Sequence, residues 1–450
     1  MEVESVQFSI LTSEDILRLS VREINQNSLY SKHVPNSRAP NSLYLGTTDN
    51  GFVCGTCRRG CDTCTGHSGH IVLRRAIFHP LLLGVTLKVL RAVCYWCSTL
   101  LRPKLPAAGT TAYKRLATFS KTKVQECPQC GGQQPRFTKS GPRIAARFAK
   151  DATFDTPGEE KMANENFTAE RAYSILRFVS EADAVMLGLP SPSALIMRHM
   201  LVPPVMMRPS VSKISGGRIR GQDDLTLKLV DIIRTNTRLE ESPNDPALLD
   251  MLQSHVCVYM DKEPRGNFTV TKKAGGRSAN VKSIVTRISG KKGRLRANMM
   301  GKRCNFSSRA VVGPAPTYDI DTIGVPRSIC RSQSIPVPVT HLNLLKIRRL
   351  VAKGDAWAVD IPCPDGKRKI LLGQKIRPRI RVGQTVHRYL RDGDWVVFNR
   401  QPSLHKESMM GHKVKVVDGD TFRLSLACTS PYNAGRCLHK RNSLIFAFQI

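Results

Sequence analysis

Two clusters of soft metal ligands constrain this chain more than any other feature. The first runs Cys54-x2-Cys57-x6-Cys64-x2-His67, with Cys61 and His70 as spare candidates close by. A zinc ion takes four soft or borderline ligands in a tetrahedron, and a C-x2-C turn presents two thiolates to one ion. The C-x2-H pair supplies the other two. The second cluster pairs Cys94-x2-Cys97 with Cys127-x2-Cys130, a separation longer than in a zinc ribbon. The bland alternative is a few reduced surface thiols, but these ligand types at these spacings fit a metal better. Neither cluster has an open coordination position or a neighbouring general base, so both read as structural Zn2+ sites. The 14 cysteines follow an acid-bearing N-terminus, MEVESVQFSILTSEDILRLS, where a secretory leader would carry bases. That combination points to metal ligands in a reducing compartment, not to a disulfide framework.

Charge narrows the partner. Lys and Arg number 69 against 35 Asp and Glu, a formal net charge of +34 at pH 7. Solubility alone does not call for such an excess; a polyanionic partner does. No basic amphipathic helix of the membrane-surface type stands out. The longest apolar stretch, Leu81–Trp96, contains Lys88 and Arg91 and is too short to span a bilayer. Nucleic acid is therefore expected, and no membrane. With 450 residues, 41% of them hydrophobic, the chain should form several folded domains.

The positive charge is concentrated. From Pro264 to Tyr318 there is no Asp or Glu, and the cations include Arg294, Arg296, Lys302, Arg303 and Arg309. Interspersed glycines let the backbone come close to a partner. A flexible basic loop anchored on Phe306, Val311 and Val312 suits phosphate contact without base readout.

Local patterns give the elements. Alternation predicts a strand over Val6–Ile10, and Ser13-Glu14-Asp15 caps a helix bearing Ile16, Leu17, Leu19 and Val21. Leu83, Leu87 and Leu90 mark a buried helix. Segment 103–126 reads as an exposed basic loop and 131–166 as a linker. Thr168 and Ser180 start a pair of helices ending near Gly188, and Asp223 or Asp224 caps another. The helix Ala247–Met260 carries His255, expected to be a packed core residue. Beyond Asp319, Val325-Pro326 and Ile335–Val339 suit sheet edges, where proline is tolerated. Thr340 starts a helix expected over Leu342–Val351. Strands are expected at Lys369–Leu372, Val386–Tyr389, Val396–Phe398, Val414–Val417 and Phe422–Leu426, a set that suits a small barrel.

Several motifs carry a family resemblance. NRQPSLHK, from Asn399, resembles the hallmark loop of the largest subunit of multisubunit DNA-directed RNA polymerases. LGTTDNG before the first cluster, the cluster itself, RPS with DDLT, and GRLRANMMGKRCNFSSRAVV are similar to motifs of that family, in the same order. Met299 stands where the family has Leu; Ala310 stands where it has Ser or Thr, removing a hydroxyl. The resemblance covers 1–434 and implies Cys54, Cys57, Cys64 and His67 as the first ligand set, over Cys61 and His70. It implies a multidomain α+β fold: a zinc-stabilised clamp over 1–200, then a helical dock with lid, rudder and switch regions over 201–318. The start of the active-site barrel follows over 319–434, an incomplete double-psi β-barrel, with a tail outside the family over 435–450. It places Arg294, Arg296, Lys302, Arg303 and Arg309 along the DNA template and RNA–DNA hybrid. Arg400 and Asn433 fall at the incoming nucleotide's ribose. The implied activity is DNA-templated ribonucleotide polymerisation, with the second-largest and smaller subunits as partners.

Phosphoryl transfer of this kind needs two Mg2+ ions held by clustered carboxylates. In the family, Asn-Ala is followed by Asp-Phe-Asp-Gly-Asp; here Asn433-Ala434 is followed by Gly435-Arg436-Cys437. The sequence has no D-x-D-x-D cluster, and Asp418 and Asp420 lack a third carboxylate. No catalytic residue is therefore expected in this chain, Mg2+ belongs to the full enzyme only, and the chain alone is expected to be inactive. The abrupt departure after Ala434 is read as an intervening sequence, ahead of a split gene or a degenerate copy. The competing functional reading is a free-standing, non-catalytic zinc-containing nucleic-acid-binding protein. An intracellular setting is expected, in nucleus, cytoplasm or virion.

Overall fold

A long strand, Ser68–Phe78, organises the first half of the chain. The computed structural model describes residues 10–32, 34–49, 51–101, 111–121, 124–149, 167–189, 191–212, 220–261, 282–363, 366–372, 379–434 and 442–446. They divide into two units, Met1–Met300 and Gly301–Ile450. In the first, Ser68–Phe78 pairs parallel with Ser20–Glu23 and antiparallel with Ile196–Val202. Ile71, Leu73 and Ile77 pack with Leu229, Ile232 and Val256, which come from the helices Asp224–Glu241 and Pro246–Met260. Phe78 joins a second core with Leu90 and Val89 of the helix Leu83–Ala92 and with Ile175 and Leu176 of Ala169–Arg177.

Helix caps follow the expected chemistry. The hydroxyls of Thr168 and Ser180 accept from the backbone N–H groups of Arg171 and Asp183. Asp223, not Asp224, caps the long helix, accepting from the Leu225 N–H at 3.1 Å. Asp223 also accepts two bonds from Arg287 at 2.7 and 2.8 Å, so one carboxylate ties two segments together. The first helix, Ser13–Leu19, is capped by Thr12, whose hydroxyl accepts from Asp15 N–H while the Asp15 carboxylate accepts from Thr12 N–H. It ends before Val21, which lies in Ser20–Glu23: pairing with Ser68–His70 outweighs the helical spacing. The strand expected at Val6–Ile10 lies outside the described residues except for its last position.

Two segments read as irregular are ordered. Part of 103–126 forms the helix Ala112–Lys121, because Leu116 and Phe119 share a face and are buried. Part of 131–166 forms a hairpin, Arg136–Ser140 against Arg143–Arg147, which buries Phe137 and Ile144. In both, a few apolar side chains sit among many cations, and the charge hid the periodicity.

Two buried polar side chains brace this unit. Arg208 is fully buried and donates to the carbonyls of Pro40 and Pro203 and to Asn41 Oδ1 and Thr226 Oγ1. Burial holds its guanidinium down to about 10. Gln253 acts as a surrogate strand partner: its Oε1 accepts from Phe78 N–H and its Nε2 donates to Phe78 O, both at 3.0 Å. Gln253→Leu strands both backbone groups in the core. It should cost about 2–4 kcal/mol, from the penalty for unsatisfied buried groups, read as a lowered urea midpoint. His255, in the same helix, is half-buried, and burial lowers its pKa.

The second unit contains two sheets. Strands Ser307–Pro314, Phe422–Leu424, Thr322–Pro326, Met409–Val417, Trp395–Asn399 and Asn442–Phe446 form a closed six-stranded barrel, in that order. Two of its pairings are parallel, Val312–Pro314 with Phe422–Leu424 and Thr322–Pro326 with Lys413–Val417. Val312, Ile323, Val325, Val396, Phe398, Val414 and Phe422 fill its interior. An incomplete barrel was expected. Instead Asn442–Phe446, in the segment read as a tail, pairs antiparallel with Ser307–Val311 and Val397–Asn399 and closes the ring. Main-chain pairing tolerates many sequences, so this closure left no motif to read.

The other predicted strands do not join the barrel. Ser334–Pro338, Thr385–Tyr389 and Gly366–Leu371 join Ala356–Cys363, a strand the sequence pattern did not announce, in a separate four-stranded sheet. Ser334–Pro338 is an edge strand there, as its prolines require. The helix Leu344–Lys353 covers one face through Ile347 and Val351, which pack with Val359 and Val386. Among the described residues no helix is long and apolar enough to cross a membrane.

Candidate metal centres and nucleic-acid interface

The ligand atoms of Cys54, Cys57, Cys64 and His67 lie within 4.8 Å of one another, and so do those of Cys94, Cys97, Cys127 and Cys130. Cys57 and Cys64 sulfurs are 3.5 Å apart; Cys94–Cys130 and Cys97–Cys127 are each 3.7 Å. A tetrahedron with metal–sulfur bonds of about 2.3 Å has edges of roughly 3.8 Å. The spacings fit an ion at each centre and are far too long for disulfides. His70 is not at the first centre; its Nδ1 hydrogen-bonds Ser20 Oγ at 2.7 Å. Cys61 contacts Asp62.

Three of the four C-x2-C or C-x2-H turns share one backbone design. Arg58, Ser98 and Gly131 each sit four residues past the first cysteine of their turn, with φ of 56°, 61° and 72°. Each donates its N–H back to that cysteine's carbonyl. Cys54, Cys94 and Cys127 in turn donate to the carbonyls of Arg59, Thr99 and Gly132. The loop closes on itself and aims both sulfurs inward. A side chain at a left-handed residue costs roughly 1–2 kcal/mol, so Gly131→Ala should lower the melting free energy of this region by about that amount.

The sulfurs differ in their electrostatic setting. A hydrogen bond with His67, helped by the Arg59 backbone, pulls the Cys57 thiol down to about 6. Burial pushes Cys64 up to about 11 and Cys94 up to about 12. Backbone N–H groups of Trp96 and Cys97 point at Cys94 Sγ, and that of Gly66 at Cys64 Sγ. Buried sulfurs surrounded by donors are prepared to carry charge once an ion compensates it.

The basic stretch straddles the boundary between the two units. Arg294, Arg296, Lys302, Arg303 and Arg309 are all exposed. Among the described residues none of them forms an ion pair; Arg294 donates to Asn298 Oδ1 at 3.1 Å. Leu295–Met300 is one wide helical turn, with Met299 and Met300 exposed. Met299, where the family has Leu, therefore fills no core position. At the other departure, Ala310 lies in Ser307–Pro314, and it is Ser308 whose hydroxyl accepts from Gln333, at 2.6 Å.

Arg400 is buried, and its Nη1 donates to Tyr432 O at 2.6 Å. The structure thus brings Arg400 against the residue preceding Asn433, which is exposed with φ 48°. Tyr432 is fixed a second time by a 2.8 Å hydrogen bond between its hydroxyl and His412 Nε2, and it packs on Phe398. Sequence reasoning gave no role of their own to Tyr432, His412, Arg208 and Gln253, although Arg208 lies in the RPS motif. A lone tyrosine, histidine, arginine or glutamine has no spacing to announce it. Asp418 and Asp420 flank Gly419 in a turn, and Asp418 pairs with Arg327 at 3.1 Å. Among the described residues, the groups of three or more converging ligand side chains are the two cysteine centres. Among the described residues the acids do not converge on a Mg2+ site.

This geometry defines a class first: a two-unit protein with two clusters of cysteine and histidine side chains able to hold a metal ion, and a basic stretch of sequence free of acids. Residues 1–299 match the family model for RNA polymerase Rpb1, domain 1, and residues 301–435 that for RNA polymerase Rpb1, domain 2. The chain belongs to the Rpb1 family of RNA polymerase subunits. It is 35% identical to DNA-directed RNA polymerase II subunit RPB1 of Euplotoides octocarinatus, over 96% of each chain. It is 34% identical to DNA-directed RNA polymerase subunit Rpo1N of Thermococcus celer and of Sulfolobus acidocaldarius, over 96% of this chain. It spans 50% and 51% of those two archaeal relatives.

Proposed function

We propose that this chain acts in DNA-templated transcription as part of a polymerase largest subunit, holding template DNA and the RNA–DNA hybrid. The observation that carries the reading is the match to both Rpb1 domains in order, with five exposed cations in the sequence from 294 to 309. In this reading 1–200 serves as the clamp, 201–318 as dock and switch, and 319–434 as the core of a double-psi barrel. Two parallel strand pairings within one closed barrel support that last assignment. The eight clustered ligands hold two structural Zn2+ ions, whose soft sulfur-rich donor sets favour zinc over hard cations. Arg400, through Tyr432, orients Asn433 toward an incoming nucleotide. The carboxylates for Mg2+ are not in this sequence, so nucleotidyl transfer requires acids from outside it.

The test is assembly. Co-expressed with a second-largest polymerase subunit, the chain should co-elute with it as a stoichiometric complex. Supplied alone with template, nucleotides and Mg2+, it should make no RNA. Elution apart from that subunit, with nucleic-acid binding intact, would favour a free-standing binding protein.

A further inference from the structure

The outer face of the barrel carries a row of side chains that the reading above does not use. Along Met409–Val417, Val414 points into the core, so Lys413 and Lys415 both face outward. Lys413 lies over the ring of Trp395 at 5.3 Å, and Lys415 over the ring of Tyr318 at 4.8 Å. Arg423 continues the row. Gly324 pairs with both Lys415 and Arg423, and a Cβ at Gly324 would strike Arg423 Cβ and Tyr318 Cε2. At Gly313, opposite Arg423, a Cβ would lie 3.5 Å from the guanidinium. Asp321 lies beside the row, held by Lys413 at 2.6 Å. Trp395 is 42% exposed, a large apolar ring left at the surface of a strand.

We propose that this face, Trp395–Lys413–Lys415–Tyr318–Arg423, is a binding strip for single-stranded nucleic acid, separate from the basic stretch at 294–309. Planar rings beside cations on the outer face of a barrel are a combination that takes stacked bases and their phosphates without regard to sequence. The glycines keep the strip low, so a strand can lie across it. An acidic protein segment would satisfy the cations but has no use for two rings already flanked by them. The inference rests on the reading that this chain works on nucleic acid, and its test separates the two.

The full chain, with Trp96→Phe and Trp357→Phe so that Trp395 alone reports, is titrated with a single-stranded oligouridylate. Binding should quench Trp395 emission. Trp395→Ala with Tyr318→Ala, followed by anisotropy of labelled RNA, should weaken binding about tenfold or more. Trp395→Phe should retain most of the affinity, because it keeps a ring. Lys415→Gln with Arg423→Gln should reduce the salt slope by roughly 1.4, at about 0.7 per single-strand phosphate. Unchanged emission together with unchanged affinity and slope would overturn the proposal and leave the strip to a protein partner. Lys302→Gln with Arg303→Gln, assayed on an RNA–DNA hybrid, probes the basic stretch instead. Failure there strikes the transcription reading; failure at the strip strikes only this inference.

Discussion

Replacing Cys127 with serine should release the ion from the second centre and unfold the segment around it. The core at this centre is small: Cys94, Leu101 and Cys127 are buried, with Trp96, Cys97 and Val124 packed against them. Tyr95 and Leu100 tie the first knuckle to the larger core, but the second knuckle has too few apolar contacts to offset its chain entropy. The ion must supply the difference, as it does in small zinc modules, where binding contributes about 10–16 kcal/mol. The rest of the first unit has larger cores and should survive. Metal analysis should fall from two zinc ions per chain to one, Trp96 emission should shift to the red, and protease should cut between the knuckles. A variant that keeps both ions and resists protease would show that the centre is not built as described.

Arg208→Ala should be the most damaging single change away from the metal centres. Four acceptors face this guanidinium: two carbonyls, an amide oxygen and a hydroxyl. None is a carboxylate, so the side chain contributes as a multidentate donor and not through an ion pair. It fastens the Pro40–Asn41 loop to the start of the long helix at Thr226. Truncation leaves these acceptors without donors, at about 1–3 kcal/mol each, partly offset by no longer burying a cation. A net loss of about 3–5 kcal/mol is expected in urea unfolding. Arg208→Lys should recover only part, because an ammonium cannot reach acceptors spread in a plane. A loss below about 1 kcal/mol would contradict this role.

Much of the site was legible because metal ligands and basic runs leave patterns in the order of residues. Cys54, Cys57, Cys64 and His67 converge as the family resemblance implied, where spacing alone left Cys61 and His70 open, and Asp223, one of two candidate caps, caps the long helix. What stayed hidden depends on contacts between distant positions. The helix holding Leu116 and Phe119 and the hairpin holding Phe137 and Ile144 were both masked by surrounding cations. Whether a strand joins the barrel or the neighbouring sheet is a matter of partner, and Val386 and Val396 look alike until their partners are known. Closure by Asn442–Phe446 runs through backbone groups, which every sequence has. Arg400 was picked out by its motif, but its burial against Tyr432 follows from the fold.

The most direct test of the account is the salt dependence of scaffold binding. Wild-type chain should bind an RNA–DNA hybrid scaffold with a steep fall in affinity as salt rises. Exchanging Arg294, Arg296, Lys302, Arg303 and Arg309 for glutamine should flatten the log–log slope by roughly 3–5, at about 0.7–0.9 per phosphate contact. An unchanged slope in the exchanged chain, folded and holding its zinc, would contradict the claim that this basic stretch grips nucleic acid.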